Sequence, residues 1–385
     1  MKALTSRQLG FAALAAVALL AVVSCAGTIA HVVNGGARLA NDNPRNPRNP
    51  SGVTGANLPQ VVNGAPVSTT QVLVALYGDA AQRINHQLAR AVEDIAGRRT
   101  QEFKRARAAQ LLHDIGRTQA RLAAQSAPVV LEANKAAYVR GLRDGIRQAE
   151  ELGVKGVADA LGARAGFTAV DEGPVNVAAR DTAARINAAA GLHAQGAASV
   201  FRSLSEGAPA EPAVNAAIAR GLITGDPRVA DRAMRDLYRD PNAPEIETYR
   251  RVGAQQITVG GWTGPVRAYV ATVVRTRTRE ATEEARGDRL DALGLDLVQI
   301  TGRVSVNFCT QFIGLVLSRS GADPDHPALA DLPGGGPPFH PNCSKSTAAY
   351  LPGAVGAERA AAARKAGAAF AELPAHLRTA PLRAT

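Results

Sequence analysis

Cys309 and Cys343 stand 34 residues apart in the C-terminal third of the chain, with His340 between them and seven prolines from Pro324 to Pro352. Proline and glycine at that density fix turns rather than regular structure. The loop Pro337-Pro-Phe-His-Pro-Asn-Cys343 is therefore stiff, and only a defined fold can bring it to Cys309. A chain dominated by alanine and arginine does not acquire that arrangement by drift. The chain has three cysteines in 385 residues, too few for a fold built on disulfides.

The rest of the chain reads as helix. Apolar residues reach 46% while aromatics are 4%, so alanine supplies most of the apolar content and helix interfaces are thin. Leu73, Tyr77, Ile84, Leu88, Val92 and Ile95 recur at helical spacing and predict one buried stripe. Gly97 ends that helix. A second is predicted from Gln101 to Gln125, and a third from Pro128 carrying Leu131, Tyr138, Leu142 and Ile146. Ala-rich helices continue to about residue 250, broken at Gly153, Gly173-Pro174, 207–212 and Gly225-Asp-Pro227. His113 and His193 are lone histidines on these helices, read as surface or satisfied core. The opposite faces are basic, with Arg140, Arg143 and Arg147 at three- and four-residue steps. No aromatics or Gly-rich loop accompany them, so a solvated face or phosphate contact fits better than base reading. The formal charge of +11 favours acidic partners.

The N-terminus is different in character. Lys2 and Arg7 precede an uncharged run over 11–33, long enough to span a bilayer as a helix. Val22-Val-Ser-Cys25 fits a lipobox in which Cys25 becomes the lipidated first residue. Residues 34–69, with Asn43-Pro-Arg-Asn-Pro-Arg-Asn-Pro50, read as an extended linker. The expected organisation is thus a hydrophobic segment 1–33, a linker 34–69, a helical region 70–244, an α+β module 245–353 after the Asp240-Pro-Asn-Ala-Pro244 boundary, and an Ala-rich helical or disordered tail 354–385. The fold class is mainly α with a small α+β C-terminal domain.

In that module a helix is predicted from Gly264 to Leu293, capped by Gly294 and carrying Val266, Val270, Val273 and Leu290. Strands are predicted over Leu295–Thr301, Val304–Phe308 and Gly314–Ser318. Four readings of the cysteines stand side by side. Cys309, His340 and Cys343 offer three of the four ligands of a structural zinc, with Asp325 or His326 as a fourth. A Cys309–Cys343 disulfide and plain buried thiols are alternatives. Cys309 and His340 can also be read as a nucleophile and its base, without an orienting acid nearby in sequence. Phosphate-binding and zinc-protease motifs are absent from the sequence.

The ordered blocks Ile257-Thr258, Gly261-Trp262, Tyr269, Val274-Arg-Thr-Arg-Thr278, Ala281, Arg289, Gly294-Leu-Asp-Leu-Val-Gln-Ile-Thr301, Cys309…Gly314…Ser318-Arg-Ser-Gly321 and His340-Pro-Asn-Cys343 resemble tailed-bacteriophage minor capsid or head morphogenesis proteins. They are most similar to the Mu F-like group and its minor capsid protein 2 branch, over residues 250–353. The chain departs from that pattern in Gly302–Phe308, which lacks a histidine, and in Ser344-Lys345, where Arg-His or Arg-Cys is usual. A metal cluster of the family would thereby lose two ligands here. The resemblance implies a structural, non-enzymatic virion protein at the portal vertex or head interior, with portal and other head proteins as partners and non-specific DNA contact as a further role. It implies no catalytic residue and no cofactor beyond the zinc reading. Two other readings are a membrane-anchored or lipidated bacterial envelope protein attached through 11–33, and a Cys–His hydrolase.

Overall fold

A computed structural model describes residues 61–62, 65–66, 68–97, 100–206 and 211–373. They belong to one compact unit spanning 53–385. In chain order it contains β1 (Val61–Val62), β2 (Ala65–Pro66), α1 (Thr69–Asp94), α2 (Gln101–Glu151), α3 (Val157–Leu161), α4 (Glu172–Glu206), α5 (Pro212–Thr224), α6 (Asp231–Tyr238) and α7 (Pro244–Gly253). Then come β3 (Gln256–Val259), β4 (Trp262–Pro265), α8 (Val266–Ala292), β5 (Leu297–Thr301), β6 (Val316–Ser318), β7 (Ser346–Ala349), α9 (Pro352–Val355) and α10 (Ala357–Ala371). The fold is mainly helical with a few antiparallel strands near the C-terminus. The hydrophobic segment over 11–33, Cys25 and most of the linker lie outside the described residues.

The stripe predicted on α1 is buried at all six positions. Ser68 caps α1, accepting from the Gln71 backbone while the Gln71 side chain accepts from the Ser68 N–H, a reciprocal capping box. The two helices predicted on either side of Pro128 are one 51-residue helix, α2. Pro128 is exposed, and the loss of one helical hydrogen bond is outweighed by the residues buried on both sides of it: Leu122, Ser126, Val130 and Tyr138. The break expected at Gly173-Pro174 falls just ahead of that pair, which lies in the first turn of α4, where a missing N–H has no helical partner to lose.

α2 lies along α8, and small residues let the two helices approach closely. A Cβ at Gly141 would run into the Thr282 carbonyl oxygen, and one at Gly145 would sit 2.8 Å from Cβ of Arg289. No break in packing falls at Asp240–Pro244. Ile246, Tyr249 and Val252 of α7 join the core made by Ile84, Leu88 and Val92 of α1 and Phe201 of α4. The expected boundary is a turn within one unit, because the apolar face of α7 packs into the core of the preceding helices.

The β3–β4 hairpin turns on Gly260 and Gly261, both with positive φ (54° and 81°), the backbone that a two-residue turn between twisted strands requires. Beyond α8, which begins two residues after the predicted start because Gly264 and Pro265 belong to β4, β5 is the centre of an antiparallel sheet in the order β6-β5-β7. Val298 and Ile300 face the core with Ala149 of α2 and Leu290 of α8, while Leu297, Val316 and Tyr350 pack on the other face. The strand predicted over Val304–Phe308 does not form. Val304 and Val306 are 81% and 103% exposed, and Phe308 instead begins a 3₁₀ turn to Phe312. The third strand is β7. Its Thr347 N–H and hydroxyl donate to Glu283 of α8 at 2.8 and 2.7 Å, and Arg286 bridges Glu283, Ser346 and the Thr347 carbonyl.

Candidate metal centre

Cys309 sits on the 3₁₀ turn between β5 and β6, where Gly314 N–H donates to the Ile300 carbonyl and closes the excursion. The turn is seated by aromatic packing. Phe312 meets the tilted Phe339 ring at 4.8 Å and Phe370 of α10 edge-on at 6.1 Å, and Phe308 lies 5.8 Å from the His340 ring. Four of the chain's eight phenylalanines, Phe308, Phe312, Phe339 and Phe370, thus pack beside one cysteine.

The proline loop is pinned from the opposite side. Cys343 N–H donates to the His340 carbonyl, and Asn342 takes a left-handed backbone (φ 59°) to make that turn. The Asn342 backbone N–H and side chain reach Thr276 and Thr272 of α8, and the Arg279 guanidinium donates to the Cys343 carbonyl. These contacts bring Cys309 Sγ to 3.2 Å from His340 Nε2. The donor atoms of Cys309, His340 and Cys343 all lie within 4.8 Å of one another. Both cysteines are 1% exposed, and His340 is half-buried.

Hydrogen bonding settles the imidazole's orientation. His340 Nδ1 is 2.9 Å from the Pro341 carbonyl, which can only accept, so Nδ1 carries the proton and Nε2 turns its lone pair to the sulfurs. That is how metal-ligating histidines are usually held. The Lys345 backbone N–H donates to Cys343 Sγ at 3.5 Å, a contact that also suits a thiolate. Burial raises the Cys309 thiol pKa, as does neighbouring Cys343, while the Lys345 ammonium pulls it down. A divalent ion would stabilise both thiolates, so the three residues fit a metal with soft-ligand preference and can hold one.

The structure does not supply the expected fourth ligand. His326 Nδ1 pairs with Asp323 at 2.9 Å, Asp325 is exposed, and neither joins the cluster. What the sequence reading missed is Lys345. It is 2% exposed, and its ammonium donates to the Arg303 carbonyl at 2.6 Å and to Ser305 Oγ at 3.4 Å. Gly302 (φ +139°) makes room for it, since a Cβ there would lie 2.9 Å from Cδ of Lys345. A buried lysine inside a Gly-Arg-Val-Ser turn carries no local sequence signal.

The remaining candidates lie elsewhere. Arg140, Arg143 and Arg147 are all exposed on α2, but Arg147 is shared between Asp144 at 3.0 Å and Glu151 at 3.8 Å, which tempers the charge of that face. His113 is exposed beside Asp114. His193 is buried core. Among the described residues no helix is long and apolar enough to cross a membrane. Compared with known proteins, the chain matches no family model, no curated protein and no solved structure.

Proposed function

We propose that this chain is a structural protein of a tailed-phage head, a minor capsid component at the portal vertex or head interior that acts through protein–protein contact. The ordered residue blocks from Ile257 to Cys343 motivate the phage assignment. The observation that carries a structural over a catalytic role is the closure of the Cys309–His340–Cys343 corner. Both sulfurs are 1% exposed, and a nucleophile must meet its substrate. The partner of His340 Nδ1 is a backbone carbonyl, not a carboxylate that would stabilise an imidazolium.

In the same reading the corner is a zinc clip. Cys309, His340 and Cys343 would hold the ion, which would tie the proline loop to the turn after β5. The basic faces of α2 would meet acidic surfaces of the portal or, weakly, packaged DNA. In the test, purified full-length chain is mixed with recombinant portal protein from the same genome and sedimented. Co-sedimentation at low stoichiometry is expected. A chain that stays wholly unbound at all salt concentrations would count against the reading. The apolar run over 11–33 with Cys25 motivates the second reading, an envelope protein anchored by lipid or a membrane span. Radioactive palmitate incorporation that Cys25→Ala abolishes would favour it.

A further inference from the structure

Val304 and Val306 are 81% and 103% exposed, the two most exposed large apolar side chains among the described residues. The segment that carries them is nonetheless held, because every second residue is bound on one side. The Arg303 carbonyl accepts from the Lys345 ammonium at 2.6 Å. Ser305 N–H donates to the Thr310 hydroxyl at 3.0 Å, and that hydroxyl donates back to the Ser305 carbonyl at 2.7 Å. The Asn307 carbonyl accepts from Thr310 N–H at 3.1 Å. Arg303, Ser305 and Asn307 thus turn backbone groups inward, to Lys345 and Thr310 beside the two cysteines. Val304 and Val306 make no backbone hydrogen bond among the described residues.

That period of two is the pattern of a strand bound along one edge, since alternate residues point their N–H and C=O to opposite sides. The edges of the C-terminal sheet are closed by contrast. Ser318 N–H on β6 donates to the Pro327 carbonyl, and on β7 the Thr347 and Ala349 N–H groups donate to Glu283 and Gln148. The charge beside the open edge is positive. Arg303 is exposed, and no Asp or Glu occurs between Asp296 and Asp323. We propose that the 303–307 segment is a docking edge for an extended strand of a partner protein, one with β-branched side chains on the face of Val304 and Val306 and a carboxylate opposite Arg303. Such a strand would take the N–H and C=O groups of both valines into a ladder and cover their side chains. A second copy of this chain would bring another Arg303 in place of the carboxylate, so it fits the edge less well. Because Lys345 and Thr310 already hold the segment, little ordering remains to be paid on binding.

The full-length chain is titrated into a short fluorescein-labelled peptide of alternating valine and glutamate, and binding is read by anisotropy. Saturable binding is expected, together with slower amide hydrogen exchange over 303–307. Methylating alternate peptide nitrogens should weaken binding roughly tenfold or more, since backbone hydrogen bonds are lost. The double variant Val304→Ser, Val306→Ser should also bind more weakly, at an unchanged melting temperature because neither side chain is packed. Arg303→Glu should weaken binding of this peptide and favour one of alternating valine and lysine. No saturable binding, or binding indifferent to both the methylation and the double variant, would overturn the proposal. So would dimerisation of the natural chain through this segment in place of peptide uptake. No phage particle enters the measurement, so a failure here and a failure of the head assignment are read apart.

Discussion

Cys343 is 1% exposed and accepts a backbone N–H, so exchanging its sulfur for oxygen puts a strongly hydrated hydroxyl into an apolar corner. Cys343→Ser is expected to cost roughly 1–3 kcal/mol in urea unfolding, and Cys309→Ser a similar amount. The double variant should lose clearly less than the sum, because both sulfurs serve one cluster; strict additivity would show that they act independently. His193 answers to pH instead. Its pKa is pushed down to about 4 from 6.5 by burial, so between those values the unfolded chain binds a proton that the folded chain refuses. Its contribution is whole above pH 6.5 and is lost as pH falls toward 4, by roughly 3 kcal/mol in all. Stability curves for the natural chain and His193→Gln should differ in slope across that window, and parallel curves would refute the assignment. Cys309, His340 and Cys343 were legible because thiols and an imidazole in a proline loop are rare in this composition. Lys345 was not, since lysine in a sequence reads as solvated until the fold routes it past Gly302.

At the scale of elements, packing decided what local propensity left open. Pro128 punctuates the sequence, yet α2 runs through it because Leu122 and Val130 on either side of it bury in one core with α1, α4 and α8. Pro128→Ala should restore the missing hydrogen bond and raise stability by about 1–3 kcal/mol, read as a higher melting temperature. No gain would mean that the proline relieves a strain elsewhere in α2. Gly145→Val is expected to act the other way, costing roughly 1–3 kcal/mol by overpacking, because Arg289 of α8 occupies the space a side chain would need. An unaltered melting temperature would contradict the close α2–α8 crossing. The α1 stripe was readable from period alone, and the α8 stripe at Val266, Val270 and Leu290, although Val274 rather than the expected Val273 is the buried residue. β7 was not, because Ser346-Thr-Ala-Ala349 has no apolar alternation and owes its pairing to Glu283 and Arg286 and to Gln148, which accepts from Ala349 N–H. The valines of 304–308 alternate like a strand, but Val304 and Val306 are exposed and the segment pairs with no strand.

At the scale of the whole molecule, the C-terminal sheet packs in one cluster with Ala149 of α2, Val157 and Leu161 of α3 and Leu290 of α8, so the cluster corner is seated on helices from both before and after residue 244. The turn at Asp240–Pro244 has the composition of a linker, and only the burial of α7 shows that it is not one. As proposed, this chain is a structural piece of a phage particle, a reading supported by the closed Cys309–His340–Cys343 corner and motivated by the residue blocks from Ile257 to Cys343. Fractionation of a phage lysate on a density gradient, followed by quantitative mass spectrometry of every fraction, tests that account most directly. The result expected is this chain in DNA-filled heads at a few copies for each portal. Its presence only in host envelope fractions, never in particles, would contradict it.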